Sequence, residues 1–182
     1  MRNGRFMGAI IVGLALLVFG LTAFTVNERE LAIKLQVGEV VEAGYEPGIH
    51  FKIPVFQTVQ KFPKRILKID DEPQRVFTLE RTAMQVDYFV QWRIVDEVPS
   101  YTSTGGSQFI AMERLREIIK NSIVTEFGKR TVQEAISVER EALMADMLTT
   151  ADATAQGLGI ELVDFRVKQV EFVEDARDSV YN

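Results

Sequence analysis

Hydrophobic and polar positions change rhythm along this chain, and each change marks an element. From Met7 to Val26 the run MGAIIVGLALLVFGLTAFTV carries neither charge nor proline. About 20 such residues in a helix cross roughly 30 Å of hydrocarbon, so the run predicts a single transmembrane anchor. A cleaved signal peptide would have an apolar region of about 7 to 15 residues and a small-x-small cleavage site. This run is longer and ends Phe24, Thr25, Val26, Asn27. Ala9 and Gly13 stand in small-xxx-small spacing, with Gly20 two turns further on, a pattern that lets neighbouring anchors approach closely.

The rhythm then turns to period two. Leu31, Ile33, Leu35 and Val37 alternate with Ala32, Lys34 and Gln36, as in a half-buried strand, and Gly38 offers a turn. Val40 and Val41 make a second, short apolar pair. In Gly44-Tyr45-Glu46-Pro47-Gly48 the Pro-Gly step predicts a type II turn, because proline presets φ and glycine accepts a positive one. Ile49 to Phe56 reads as an apolar loop or edge strand, since Pro54 does not suit a central strand. Val59 to Ile69 is extended, interrupted by Pro63. Met84 to Val95 is the clearest strand: Met84, Val86, Tyr88, Val90, Trp92 and Ile94 share one face, which predicts a central antiparallel position.

After Gly105-Gly106 the period becomes helical. Met112, Leu115, Ile119, Ile123 and Phe127 predict a helix from about Ser107 to Phe127, with Gly128 as its stop. Thr131-Val132-Gln133-Glu134 matches a capping box. A further helix is expected from about Val138 to Gln156, carrying Leu143, Met147, Ala151 and Ala155 on one face and ending at Gly157-Leu158-Gly159. Ile160 to Val170 reads as a returning strand. Strands first and helices after predict an α+β body. The expected division is a tail and anchor over 1–27, a β-rich subdomain over 28–98, a helical and β subdomain over 99–170, and the start of a C-terminal helix over 171–182, with a break between Val95 and Ser107. Because that last segment stops without a cap, the chain as given is expected to be truncated.

Charge adds orientation and excludes partners. Arg2 and Arg5 precede the apolar run while Glu28, Arg29 and Glu30 follow it. The positive-inside rule therefore predicts a cytoplasmic N-terminus and a periplasmic body. With 21 Lys plus Arg against 26 Asp plus Glu, the net charge of −5 disfavours a nonspecific grip on nucleic acid or on anionic lipid. At 47% hydrophobic and 26% charged residues the composition is that of a folded globular chain.

Catalytic and metal chemistry find little material. The chain has no cysteine, which removes thiol nucleophiles and cysteine-based zinc sites, and one histidine, His50, which prevents a multi-histidine metal site within the chain. Asp70-Asp71-Glu72 lacks the spacing of a calcium loop and reads as a solvated turn. Gly105-Gly106 lacks the lysine of a phosphate loop, and Ser100, Ser103 and Ser107 lie in no nucleophile elbow. No catalytic, cofactor or metal residue is expected. One apolar feature supports a positive expectation. Ile49, Phe51, Ile53, Val55 and Phe56 sit close to the anchor, and either contact the membrane interface or pack in a core. The helix faces bearing Glu113, Arg114, Arg116, Glu117 and Lys120 are either solvated or used for subunit contacts.

Taken in order, several of these pieces resemble the band 7, or SPFH, family of stomatins, prohibitins and HflK/HflC. The carriers are the anchor followed almost at once by a strand; GYEPGIHFKIP over Gly44 to Pro54; Arg65-Ile66 with Ile69-Asp70; VQWRIVD over Val90 to Asp96; and GIELVDFRVKQV over Gly159 to Val170. The combination is closer to the HflC branch than to stomatins. Two departures stand out: Glu171 to Asp175 has no proline where relatives enter a long helix, and the coiled-coil helix expected next is missing. The resemblance implies an SPFH body without enzymatic activity, in a bacterial inner membrane. It implies assembly with an HflK-like homologous subunit into a ring or cage around an FtsH-type AAA membrane protease. Two other expectations stand beside it: a stomatin-like organiser of membrane domains, and a membrane-associated serine protease.

Overall fold

The computed structural model describes Gly13, Gly20, residues 22–136 and residues 140–173. Two compact units divide at Lys64/Arg65, Met1–Lys64 and Arg65–Asn182, rather than between Val95 and Ser107. The cause is strand β8 (Ala83–Ile94), which was expected in the first subdomain but pairs along nearly its whole length with the last strand, β9 (Ile160–Phe172). Those cross-strand bonds tie it to the helices that lie between the two in sequence.

Ala9 and most of the expected anchor lie outside the described residues. Gly13, Gly20 and Thr22 are helical. Among the described residues no helix is long and apolar enough to cross a membrane. The helix does not run on to Val26, because Ala23–Val26 is strand β1, paired antiparallel with β4 (Gly48–Phe51). Phe24 is aromatic and Thr25 and Val26 are β-branched, side chains that fit a pleated surface.

The rest of the first unit is a sheet in which β2 (Glu30–Gln36) lies between β3 (Glu39–Glu42) and β5 (Gln57–Pro63). Ala32, Ile33, Leu35 and Phe62 are buried, so the middle strand is covered on both faces at Ala32 and Ile33. Pro63 ends an edge strand, where its missing N–H costs little. Two local expectations are corrected. Val37 is not part of the inward face of β2 but sits with Gly38 in the two-residue turn between Gln36 and Glu39. Pro47-Gly48 is not a type II turn: Gly48 has φ 151° and opens β4.

In the second unit β8 pairs with β9 on one edge. A strand has only two edges, so β6 (Leu67–Asp70) and β7 (Gln74–Phe77), both antiparallel to β8, share the other. Their register slips across Asp71-Glu72-Pro73, where proline cannot donate. The acidic run is thus a kink in an edge strand, and it is pinned: Asp71 Oδ2 lies 2.9 Å from Arg116 Nε. Met84, Val86, Tyr88, Val90, Trp92 and Ile94 are all buried, as their alternation predicts.

Helix α1 (Glu97–Thr104) fills the span between Val95 and Ser107 where a break was expected. The Asp96 carboxylate caps it by accepting from Val98 N, Pro99 sits in the first turn where no helical donor is required, and Gly105 at φ 63° ends it. Helix α2 (Gln108–Gly128) is capped by Ser107 and buries Leu115, Ile119, Ile123 and Phe127. The capping box starts a short α3 (Val132–Ile136), with Thr131 N donating to Glu134 Oε2 at 2.8 Å and Glu134 N to Thr131 Oγ1 at 3.3 Å. Helix α4 (Arg140–Ala155) buries Leu143, Met147, Ala151 and Ala155, and Ser122 Oγ of α2 donates to its Met147 carbonyl at 2.8 Å. A 3-10 turn, Gln156–Leu158, and then Gly159 lead into β9.

Candidate membrane-docking site

The apolar segment Ile49 to Phe56 takes its position from β1. Ala23 pairs with Phe51, and Lys52 N donates to the Thr22 carbonyl at 2.8 Å. Strand β4 therefore runs back toward the apolar run from which β1 emerges, and the turn after it starts level with Thr22. Gln57 closes that turn from both sides: its N–H donates to the Ile53 carbonyl at 3.0 Å and its Oε1 accepts from Ile53 N at 2.8 Å.

Exposure separates the two explanations open for these residues. Ile49, Phe51, Ile53, Val55 and Phe56 all face solvent, from 55% exposed at Phe51 to 97% at Val55. Core packing does not account for them. Several large apolar side chains presented together by one short segment are the mark of a surface with a partner. The segment lies at the foot of the apolar run that leads into β1.

Behind the segment lies an aromatic and charged clasp. His50, at the next position along β4 from Phe51, packs its ring 4.8 Å from Tyr45 and 5.7 Å from Phe24, and its Nε2 lies 2.7 Å from the Glu46 carbonyl. The carbonyl can only accept, so Nε2 carries the hydrogen. Tyr45 OH donates to Glu42 at 2.6 Å, and Lys34 Nζ reaches the same carboxylate at 2.5 Å. These contacts move three groups. Hydrogen bonds from Lys34 first and Tyr45 next hold the Glu42 carboxyl below its usual range, and the Glu42 bond, then Tyr45, raise Lys34. Burial, then the bond to Glu42, raises the Tyr45 phenol.

A depressed carboxyl stabilises the fold above its unfolded value and ceases to as pH falls through the folded one. A raised lysine does so below its unfolded value and ceases to as pH rises through its folded one. The clasp is accordingly intact across neutral pH. Amide exchange over residues 44–50 is expected to accelerate as pH drops below the usual carboxylate range, after correction for intrinsic exchange rates. In Glu42→Gln it should be faster already at neutral pH and lose that acid dependence; unchanged exchange in the variant would remove the clasp's role.

The remaining sequence candidates have local structural roles. Ser103 Oγ donates to the Pro99 carbonyl at 2.6 Å, Ser107 caps α2, and Ser100 is buried in α1. Near Gly13 and Gly20 an added Cβ would meet nothing within 4 Å, so no intrachain contact among the described residues requires glycine there. Sequence reasoning missed Val37, which lies fully in solvent at the β2–β3 turn. Both loop positions have positive φ, 53° at Val37 and 89° at Gly38, and a valine is an unusual residue to meet that need.

A family model described as SPFH domain / Band 7 family matches residues 24–181. Protein HflC of Buchnera aphidicola subsp. Schizaphis graminum is 33% identical over 94% of this chain and 63% of its own length. Protein HflC of Haemophilus influenzae is 32% identical over 97% of this chain and 63% of its own length. The Modulator of FtsH protease HflC of Escherichia coli K12 is 27% identical over 96% of this chain and 66% of its own length. The chain thus spans less than two thirds of the length of these curated relatives.

Proposed function

The chain belongs to the SPFH domain / Band 7 family, and on that premise we propose that it is a non-enzymatic scaffold subunit of the HflC kind, anchored in a bacterial inner membrane. The observation that carries this reading is the likeness to HflC proteins across more than nine tenths of the chain, one of them named a modulator of FtsH protease. On this reading the run Met7–Val26 supplies the anchor up to the start of β1, with the N-terminus cytoplasmic and the body periplasmic. Ala9, Gly13 and Gly20 let neighbouring anchors pack closely, and a C-terminal helix begins only after β9 ends at Phe172. The exposed segment Ile49 to Phe56 rests in the lipid interface, which sets the body close against the bilayer. An HflK-like homologous subunit assembles with it in a ring or cage around an FtsH-type AAA protease. The protein then acts by limiting substrate access, with the charged face of α2, including Glu113, Arg114 and Glu117, available to neighbouring subunits.

Affinity purification of the protein from gently solubilised membranes, with mass spectrometry and particle sizing, tests the reading. The expected result is a large particle holding a homologous second subunit and an ATP-dependent membrane protease. A homo-oligomer carrying lipid and no protease would overturn it in favour of a stomatin-like organiser.

A further inference from the structure

The docking surface does not end with Ile49 to Phe56. Val37 is 87% exposed, exceeded among the exposed large apolar side chains of the described residues only by Val55 at 97%. The two valines share a second property: φ is 53° at Val37 and 76° at Val55, in the left-handed region that β-branched side chains rarely occupy. Val37 and Gly38, at φ 89°, form the two-residue loop that joins the paired residues Gln36 and Glu39. Positive φ at both loop positions selects Asn-Gly or Asp-Gly in an ordinary hairpin. In water a valine at this tip is therefore unfavourable twice, in its backbone and in its bare side chain.

Its neighbours show where the tip points. Gln36 pairs with Gln57, and Gln57 Nε2 donates to Gln36 Oε1 at 3.3 Å. Val37 and Phe56 each lie one residue beyond that pair, so the hairpin tip and the docking turn leave the sheet at the same end. That turn starts level with Thr22, where the apolar run passes into β1. We infer that the β2–β3 hairpin tip is a second membrane-inserting wedge, with Val37 entering the lipid interface beside Val55 and Phe56. A lipid surface is the occupant because the tip is continuous with the turn at the foot of the apolar run; Gln36 and Glu39, flanking the loop, limit insertion to its two residues. Two wedges and an anchor fix the tilt of the domain as well as its height. The inference rests on the docking reading of Ile49 to Phe56.

The chain has no cysteine, so a single introduced thiol reports on one position. The full chain carrying Val37→Cys, Val55→Cys or Glu28→Cys is labelled with a polarity-sensitive nitrobenzoxadiazole dye. It is then reconstituted into phosphatidylethanolamine and phosphatidylglycerol vesicles containing nitroxide-bearing lipid. The dye at 37 and at 55 is expected to shift to the blue and be quenched several-fold. The dye at 28, in the turn before β2 at the other end of that strand, is expected to stay in water. A quenched dye at 55 with an unquenched one at 37 would overturn the wedge and leave the docking turn standing. Unquenched dyes at both would overturn the docking reading and the wedge with it.

Discussion

Replacing Gly159 by valine is expected to unfold the second compact unit at room temperature or to leave it barely stable, a loss of about 4 kcal/mol or more. A Cβ built at this position lies 2.1 Å from the Asp96 carbonyl oxygen, 3.0 Å from Ser100 N and 3.1 Å from Pro99 Cγ. Two of those three atoms belong to the backbone at the start of α1, which cannot swing aside as a side chain would. The φ of 70° adds the left-handed cost, roughly 1–2 kcal/mol for a residue with a Cβ. Moving the glycine away is also resisted, because its carbonyl accepts from both Val95 N at 3.0 Å and Asp96 N at 3.2 Å, and its N–H donates to the Gln156 carbonyl at 3.0 Å. Gly157 is the matched control. It has open space around it and no positive φ, so Gly157→Ala should change stability by no more than about 0.5–1 kcal/mol. Urea unfolding followed by fluorescence of the single, buried Trp92 reads both variants. If Gly159→Val unfolds with the midpoint of the parent, the close approach of α1 to the start of β9 does not hold this unit together.

That junction shows what the sequence could and could not reveal. Gly159 was legible as a helix stop, because Gly157-Leu158-Gly159 follows a helical period. Its contact with Asp96 and Pro99 was not, since nothing local marks an approach between residues more than fifty positions apart. Long, regular elements were readable: from Met84 to Ile94 every second residue of β8 is apolar and buried, and α2 and α4 keep apolar residues at three and four. Short elements defined by tertiary pairing were not. Helix α1 carries Pro99 and a run of serine and threonine, and β7 follows Asp71-Glu72-Pro73, so local preference argues against both. Asp96 as a cap and β8 as a partner override it. The grouping of the strands was hidden for the same reason: chain order puts β8 with the early strands, and pairing with β9 ties it to the later helices.

For the docking site the limit was of another kind. Apolar periodicity reports that side chains leave water and says nothing of what they enter, so Ile49 to Phe56 admitted a core and a membrane equally. Val37 continued the parity of Leu31, Ile33 and Leu35, and only the closure of the turn at Gln36 and Glu39 places it outside.

The matching experiment is the double substitution Phe51→Asp with Phe56→Asp, expected to weaken vesicle binding of an anchor-deleted form by roughly 100-fold. Full burial of a phenylalanine is worth about 1.5–3 kcal/mol, and these two rings are 55% and 66% exposed in water. Lipid contact therefore recovers about 1–2 kcal/mol from each. Introducing two carboxylates at the interface adds to the loss, so about 3 kcal/mol is a conservative total, equivalent to roughly two orders of magnitude in the partition coefficient. The truncated form has to begin at Thr22 or earlier, because Ala23 to Val26 pair with β4 and Thr22 accepts from Lys52 N; a form starting after Val26 would lose the strand that positions the site. Unfolding of the same variant in water should move by no more than about 0.5 kcal/mol, since neither ring is in the core. The two readouts part the explanations. A large loss of binding with unchanged stability is what lipid docking requires. Unchanged binding with an intact fold would leave the exposed segment to a protein partner, and loss of both would return Phe51 and Phe56 to the interior.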